Sequence, residues 1–147
     1  MNPDFLDIIR ALLDAEARFI IVGAYAVNIY VEPRATGDLD ILVEATAENA
    51  PKVISALKEF GAPLTGLSES DFASPGVTLQ IGIPPRRIDL LTEISGLQFE
   101  ETWQDRAMFP FGPFTIPFLS KTALIKNKRA TGRPKDLADL DVLENSS

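Results

Sequence analysis

The 147-residue sequence contains neither cysteine nor histidine. These two absences exclude disulfides, zinc fingers, thiolate nucleophiles, Ser-His-Asp triads and imidazole metal ligands. Any bound metal must therefore be a hard cation held by oxygen atoms, and any catalysis must use carboxylates, hydroxyls, lysine, arginine or backbone amides. The absence of cysteine also fits a reducing compartment.

Long hydrophobic runs are missing as well. The longest apolar stretch, FIIVGAYAVNIYV at residues 19–31, is too short to span a bilayer. The acidic, amphipathic N-terminus is unlike a signal peptide, so we expect a cytoplasmic protein without a membrane partner. The net charge of −7 argues against a surface coated with basic residues for wrapping nucleic acid.

What is present is the composition of an ordinary globular protein, with 46% hydrophobic and 24% charged residues. The length predicts one domain over residues 1–147. We place its core at about residues 18–118 and a helical, basic C-terminal segment at about 120–145.

Hydrophobic periodicity and turn residues predict alternating helices and strands. Helices are predicted at residues 4–17, 24–31, 47–60, 99–107, 120–129 and 134–145, and residues 62–76 read as loop. Strands are predicted at residues 19–22 and 39–44, and at 77–83 and 86–94 as a hairpin. The proline-rich segment 108–119 predicts an edge strand or extended chain. The order lacks a regular βαβ repeat, so the predicted class is α+β, or mixed α/β.

Two aspartates, Asp38 and Asp40, open the second predicted strand. Residues two apart in a strand share a face, so both carboxylates point together while Leu39 and Ile41 face the core. Neighbouring carboxylates repel each other unless a cation lies between them, and a divalent metal is the natural candidate. Three alternatives stay open: a solvated loop, a calcium loop (although the EF-hand order is missing), and a sugar-nucleotide D-x-D motif.

Gly23 and Asp89 extend this pattern. Gly23 ends one strand and opens a helix, which places backbone amides and a positive helix end where a phosphate can bind; a plain turn is the alternative. Asp89 lies in the apolar strand IDLL and needs a partner there. If its strand lies beside that of Asp38 and Asp40, three carboxylates converge as in a two-metal phosphoryl-transfer site.

Six of the fourteen basic residues fall within KTALIKNKRATGRPK, residues 121–135, which contains no acid. They are Lys121, Lys126, Lys128, Arg129, Arg133 and Lys135. A solvated helix face explains any one of them. A cluster opposite an acidic metal site suits a triphosphate or an RNA backbone better.

Gly23-Ala24, thirteen residues, then Asp38-Leu39-Asp40-Ile41 resembles the hG[GS]…Dh[DE]h signature of the DNA polymerase β-like nucleotidyltransferases. The segments VGAYAVNIYVEPRATGDLDILV and LIKNKRATGRPKDLADLDVL are similar to motifs of the AbiEii/toxin-type branch and its uncharacterised bacterial relatives. The resemblance covers roughly residues 18–143. It implies a small mixed β-sheet flanked by helices, with a helical C-terminus.

The resemblance also implies roles for individual residues. Asp38, Asp40 and Asp89 would hold Mg²⁺ or Mn²⁺, with Asp89 at the second metal or acting as the base. The nucleotide-binding residues would be Gly23, Ala24, Arg34, Thr36, Lys121, Lys128 and Arg133. Asp136 and Asp139 would orient these basic groups, with plain helix-surface charge as the alternative. Phe109, Phe111, Phe114 and Phe118 could stack a base, although core packing is the commoner role.

The implied activity is transfer of a nucleoside monophosphate from an NTP to an acceptor hydroxyl of RNA, tRNA or protein. A toxin–antitoxin setting would add a cognate antitoxin or another partner protein. Ala24 departs from the family's small polar or glycine residue, and the chain is shorter than the toxin-type enzymes. These departures favour the alternative, a catalytically silent module that serves as antitoxin, partner subunit or nucleotide sensor.

Overall fold

The computed structural model describes residues 2–32 and 37–145. In these ranges the chain forms seven helices and six strands, and the predicted α+β class is confirmed. The helices are α1 (Pro3–Asp14), α2 (Gly23–Tyr30), α3 (Ala50–Phe60), α4 (Glu69–Phe72), α5 (Phe99–Gln104), α6 (Lys121–Thr131) and α7 (Pro134–Glu144). The strands are β1 (Phe19–Val22), β2 (Leu39–Val43), β3 (Thr78–Ile81), β4 (Ile88–Leu91), β5 (Ala107–Phe111) and β6 (Phe114–Phe118).

All six strands belong to one mixed sheet with the order β3-β4-β2-β1-β6-β5. The pairs β1–β2, β3–β4 and β5–β6 are antiparallel, whereas β2–β4 and β1–β6 are parallel. The predicted hairpin of β3 and β4 is confirmed. Strands β1, β2 and β4 occupy the middle of the sheet, and these three strands position the candidate site.

Local sequence signals set most of the helix ends. The Ser120 side chain accepts a hydrogen bond from the Ala123 amide at 3.1 Å and caps α6. Gly61 ends α3 with a φ of 90°, a left-handed conformation that glycine adopts readily. The start of α3 was predicted three residues too early. Residues 47–49 form a turn instead, in which the Asn49 side chain bonds to the backbone of Arg18 and Glu44.

The proline-rich segment departs from its prediction in one half. Strand β5 is an edge strand as expected, but β6 lies between β5 and β1. Strand β6 tolerates Pro117 because its pairing with β1 is confined to Phe118 and Leu119, so the missing amide lies outside that ladder. The segment predicted as loop also contains the one-turn helix α4.

Apolar side chains from the sheet and from α1, α3 and α6 form the hydrophobic core. Helix α1 buries Phe5, Ile8, Ile9 and Leu12 and packs against α3. Phe111 and Phe118 are buried, and Phe109 and Phe114 pack against the core, so core packing explains these four rings. No helix in residues 2–32 and 37–145 has the length and apolarity needed to cross a membrane.

Candidate active site

The strand register brings Asp40 and Asp89 side by side. Strands β2 and β4 run parallel with Asp40 directly opposite Asp89, and Asp38 immediately precedes β2. On the other side of β2, Val22 at the end of β1 pairs with Asp40. The glycine turn and the three acids therefore meet at one end of the central strands, because β2 and β4, whose adjacency the sequence left open, are neighbours.

Gly23 is required in this position for two reasons. Its φ is 69°, which side-chain-bearing residues rarely adopt. A Cβ atom at this position would also overlap the Oδ2 atom of Asp40. The first turn of α2 thus lies directly against the carboxylate of Asp40, and Gly23 and Ala24 line the same cavity as that carboxylate.

A cavity of about 790 Å³ opens over this point. It lies within the size range of small-molecule sites. The three acids line it together with Asp139 and with the basic residues Arg87, Lys128, Arg133 and Lys135. Gly37, Pro84, Pro85 and Leu91 complete most of the remaining wall. The cavity therefore presents acidic and basic groups to one shared space.

The environment of Asp40 opposes its ionisation. Burial raises the pKa of Asp40 to about 6, with further contributions from the charges of Asp89 and Asp38 and from a hydrogen bond with Asp89. The positive charge of Arg87 acts in the opposite direction but does not cancel these effects. A carboxylate in this state gains stability from any additional cation that enters the cavity.

Arg87 is the residue that sequence reasoning missed. Its Nε and Nη2 atoms donate hydrogen bonds to the Oδ1 and Oδ2 atoms of Asp89 at 2.8 and 3.1 Å. Nη2 also lies 3.7 Å from Asp38 Oδ2, and the backbone amide donates to Asp38 Oδ1 at 3.1 Å. The hydrogen bond to Asp89 is the main cause that raises the pKa of Arg87. The contact between Arg87 and Asp89 was predictable from the sequence, because residues two apart in a strand lie on the same face.

A second ionic cluster joins α6 to α7. The Lys128 Nζ atom lies 3.3 Å from Asp136 Oδ1 and 3.4 Å from Asp139 Oδ2. Arg133 Nε donates to Asp136 Oδ2 at 2.6 Å, and this hydrogen bond is the main cause that lowers the pKa of Asp136. Asp136 is 0% and Asp139 is 4% exposed. The alternative interpretation, that these two aspartates are ordinary charges on a helix surface, is therefore wrong. They hold the basic groups, as expected.

Several other residues from the sequence predictions do not line this cavity or lie outside the described residues. Lys121 does not line the cavity, because it begins α6 and lies about 10 Å along the helix axis from Lys128. Lys126 and Arg129 are exposed and face Glu101 and Glu144 in ion pairs. Arg34 and Thr36, predicted to assist nucleotide binding, lie outside the described residues.

The acids suit a hard divalent cation by their chemistry. Asp38, Asp40 and Asp89 offer only oxygen atoms, which are the ligands that Mg²⁺ and Mn²⁺ prefer. The one basic side chain that ion-pairs with them within the described residues is Arg87, which contacts Asp38 and Asp89. Within residues 2–32 and 37–145, no group of three or more acidic side chains is already arranged as a metal-binding cluster.

Comparison with known proteins does not place the chain in a family: no protein-family model matches the sequence, and no curated protein matches it at a significant level. The nucleotidyltransferase resemblance therefore rests on the quoted sequence motifs.

Proposed function

We propose that this protein is a metal-dependent nucleotidyltransferase. It transfers a nucleoside monophosphate from an NTP to an acceptor hydroxyl of RNA, tRNA or protein. The observation that carries the proposal is the meeting of Asp38, Asp40 and Asp89 with the Gly23 turn in one cavity that is also lined by Lys128, Arg133 and Lys135. Acidic and basic groups that line one space suit a triphosphate held through Mg²⁺.

In this reaction the acceptor oxygen forms a bond to the α-phosphorus of the NTP. The bond from that phosphorus to the bridging oxygen breaks, and pyrophosphate leaves with the electron pair. Asp38, Asp40 and Asp89 would hold Mg²⁺ or Mn²⁺, which would supply charge neutralisation for the phosphates.

The protein's own residues bind and orient the substrate. The Gly23 and Ala24 amides at the start of α2 face the phosphates, and the positive end of this helix favours their charge. Lys128, held between two buried acids, and Arg133 neutralise the charge that grows on pyrophosphate. The acceptor proton goes to Asp89 as base, which requires the Arg87 guanidinium to release that carboxylate.

One observation favours a second candidate function. Both oxygens of Asp89 accept hydrogen bonds from Arg87, and Ala24 offers no hydroxyl to a phosphate. A silent nucleotide-binding module, serving as antitoxin, partner subunit or sensor, fits an acid that is permanently neutralised in this way. In that case the cavity binds an NTP without turning it over.

Incubation of the protein with each α-labelled NTP, Mg²⁺ and total cellular RNA and protein separates the two functions. We expect label on one class of acceptor with the wild-type protein and none with Asp40→Asn. Calorimetric NTP binding without label transfer to any acceptor would instead support the silent module. Equal labelling by wild type and Asp40→Asn would reject the metal site.

A further inference from the structure

Arg87 occupies the place between two of the three carboxylates. Its guanidinium forms a two-point contact with both oxygens of Asp89 and reaches towards Asp38 at 3.7 Å. Paired parallel hydrogen bonds of this kind are among the strongest that a carboxylate makes. The backbone amide of the same residue fixes the other oxygen of Asp38. One residue thus ties together the two strands that carry the acids.

A guanidinium and a divalent metal ion cannot share this site without strong repulsion. A metal ion bound to a carboxylate oxygen of Asp89 lies about 2 Å from that oxygen. The guanidinium nitrogens stand about 3 Å from the same oxygens. The two cations would then be within a few ångströms of each other, where like charges interact strongly even at intermediate dielectric.

The Arg87 side chain has room to move away from the acids that it contacts. Its side chain is 28% exposed and borders the open space. Lys128, by contrast, is 9% exposed and contacts two buried acids. Rotation of the Arg87 side chain about its own bonds removes the guanidinium from Asp89 without moving the backbone amide that holds Asp38.

We propose that Arg87 is an internal competitor of the divalent cation, which neutralises Asp89 and Asp38 before metal binding and must leave Asp89 when the metal enters. This role rests on the metal site of the proposed function. It makes Arg87 a positioning residue that keeps the acids together in the metal-free protein and lowers their affinity for free metal.

Titration of the metal-free protein with Mn²⁺ alone, by calorimetry or electron paramagnetic resonance, tests this role. We expect Arg87→Gln to bind Mn²⁺ at least about tenfold more tightly than the wild type, because the competing cation is gone. Arg86→Gln is the matched control. Arg86→Gln makes the same change in net charge as Arg87→Gln. Because Arg86 is exposed and does not line the cavity, this substitution should alter the Mn²⁺ affinity less than twofold.

Thermal unfolding supplies a readout that a merely structural contact would not reproduce. Arg87→Gln should melt at a lower temperature than the wild type in chelator, since Asp38 and Asp89 then lose the guanidinium that both contact. Mn²⁺ should raise its melting temperature more than that of the wild type, because tighter binding stabilises the folded state more. Arg87→Lys keeps the charge without the two-point contact, and its Mn²⁺ affinity should fall between the other two.

Unchanged or weaker Mn²⁺ binding by Arg87→Gln would overturn the proposed role, as would absence of Mn²⁺ binding in every variant. If Arg87→Gln does not fold, the Mn²⁺ affinity of Arg87→Lys relative to the wild type decides the question: tighter binding supports the role, and unchanged or weaker binding overturns it. Nucleotide transfer by the wild type with unchanged Mn²⁺ affinity in the variants rejects the competitor role alone. Tighter Mn²⁺ binding without transfer to any acceptor supports the role of Arg87 and rejects the enzyme.

Discussion

Two ionic clusters meet at the same cavity and differ in charge balance and in burial. The acid cluster contains Asp38, Asp40 and Asp89 with one guanidinium, that of Arg87. The tail cluster contains two acids, Asp136 and Asp139, and two bases, Lys128 and Arg133. The acid cluster therefore has three negative charges and one positive charge, whereas the tail cluster has two of each.

The difference indicates what each cluster does. Charge in the tail cluster is matched within the protein, and three of its four residues are buried, so it fastens α6 to α7 and fixes Lys128. The acid cluster leaves Asp40 with a raised pKa beside an open cavity. An unmatched cluster of carboxylates is stabilised by a cation from outside the chain, whereas a matched one is complete. The predictions below test this contrast.

The largest effect is expected for Asp40→Asn in the acid cluster. Loss of a carboxylate at a metal site removes several kcal/mol of transition-state stabilisation, or about a thousandfold in transfer rate. The free energy of unfolding should not fall, because the substitution relieves repulsion. Labelled-NTP transfer and urea unfolding measure the two effects, and Asp14→Asn at an exposed site of α1 is the control. A destabilised, active Asp40→Asn would contradict the contrast.

Lys128→Met should lower stability as well as transfer, because Lys128 holds the balanced cluster together and also lines the cavity. Removing one partner of a buried ion network costs about 3 kcal/mol, which lowers the melting temperature of a chain of this size by roughly 10 °C. The control is Lys126→Met on the same helix, an exposed residue 3.9 Å from Glu101. Its effect should stay below about 1 kcal/mol. Equal effects of the two substitutions would remove the distinction between the clusters.

Gly23→Ala tests how closely the helix start fits against the acid cluster. The left-handed conformation alone costs about 1–2 kcal/mol, and the added Cβ also displaces the Asp40 carboxylate. Gly61→Ala is a matched control, since Gly61 has a φ of 90° with no atom within 4 Å of the added Cβ. We expect Gly23→Ala alone to weaken Mn²⁺ binding. Equal Mn²⁺ affinities in the two variants would show that the close approach is unimportant.

The smallest effect is a pH dependence that the acid cluster imposes on stability. The pKa of Asp40 rises from 3.8 to about 6 on folding, so the folded state binds more protons than the unfolded state between these values. Stability from this group is therefore present below pH 4 and is lost as the pH rises through 6. Allowing for solvent screening, the loss is roughly 1–2 kcal/mol.

Urea unfolding in chelator at several pH values between 4.5 and 7.5 measures this loss. Asp40→Asn should lack the decline, and Asp14→Asn should keep it. The lowered pKa of Asp136 acts in the opposite sense and at lower pH, because that carboxylate loses its stabilising contribution only as the pH falls below 4. A wild-type curve that coincides with that of Asp40→Asn would remove the electrostatic difference between the clusters.

Local patterns in the sequence predicted the fold class and most elements, because each depends on neighbours along the chain. Alternation placed Leu39 and Ile41 in the core and their acidic neighbours on the other face. Ser120 and Gly61 set helix ends through a hydrogen bond and a backbone conformation that involve nearby residues. The place of β6 inside the sheet was not predictable this way, since it depends on pairing with β1, more than ninety residues earlier.

By itself, the sequence determined which chemistry is open to this protein: without cysteine or histidine, its reactive groups are carboxylates, hydroxyls, amines and guanidinium groups. The tertiary structure decided which of them meet. The register of β2 against β4 set Asp40 beside Asp89, the length of α6 separated Lys121 from Lys128, and Arg87 turned towards Asp89 rather than solvent. Such choices depend on distances between segments far apart in the chain, which only packing of the whole fold fixes.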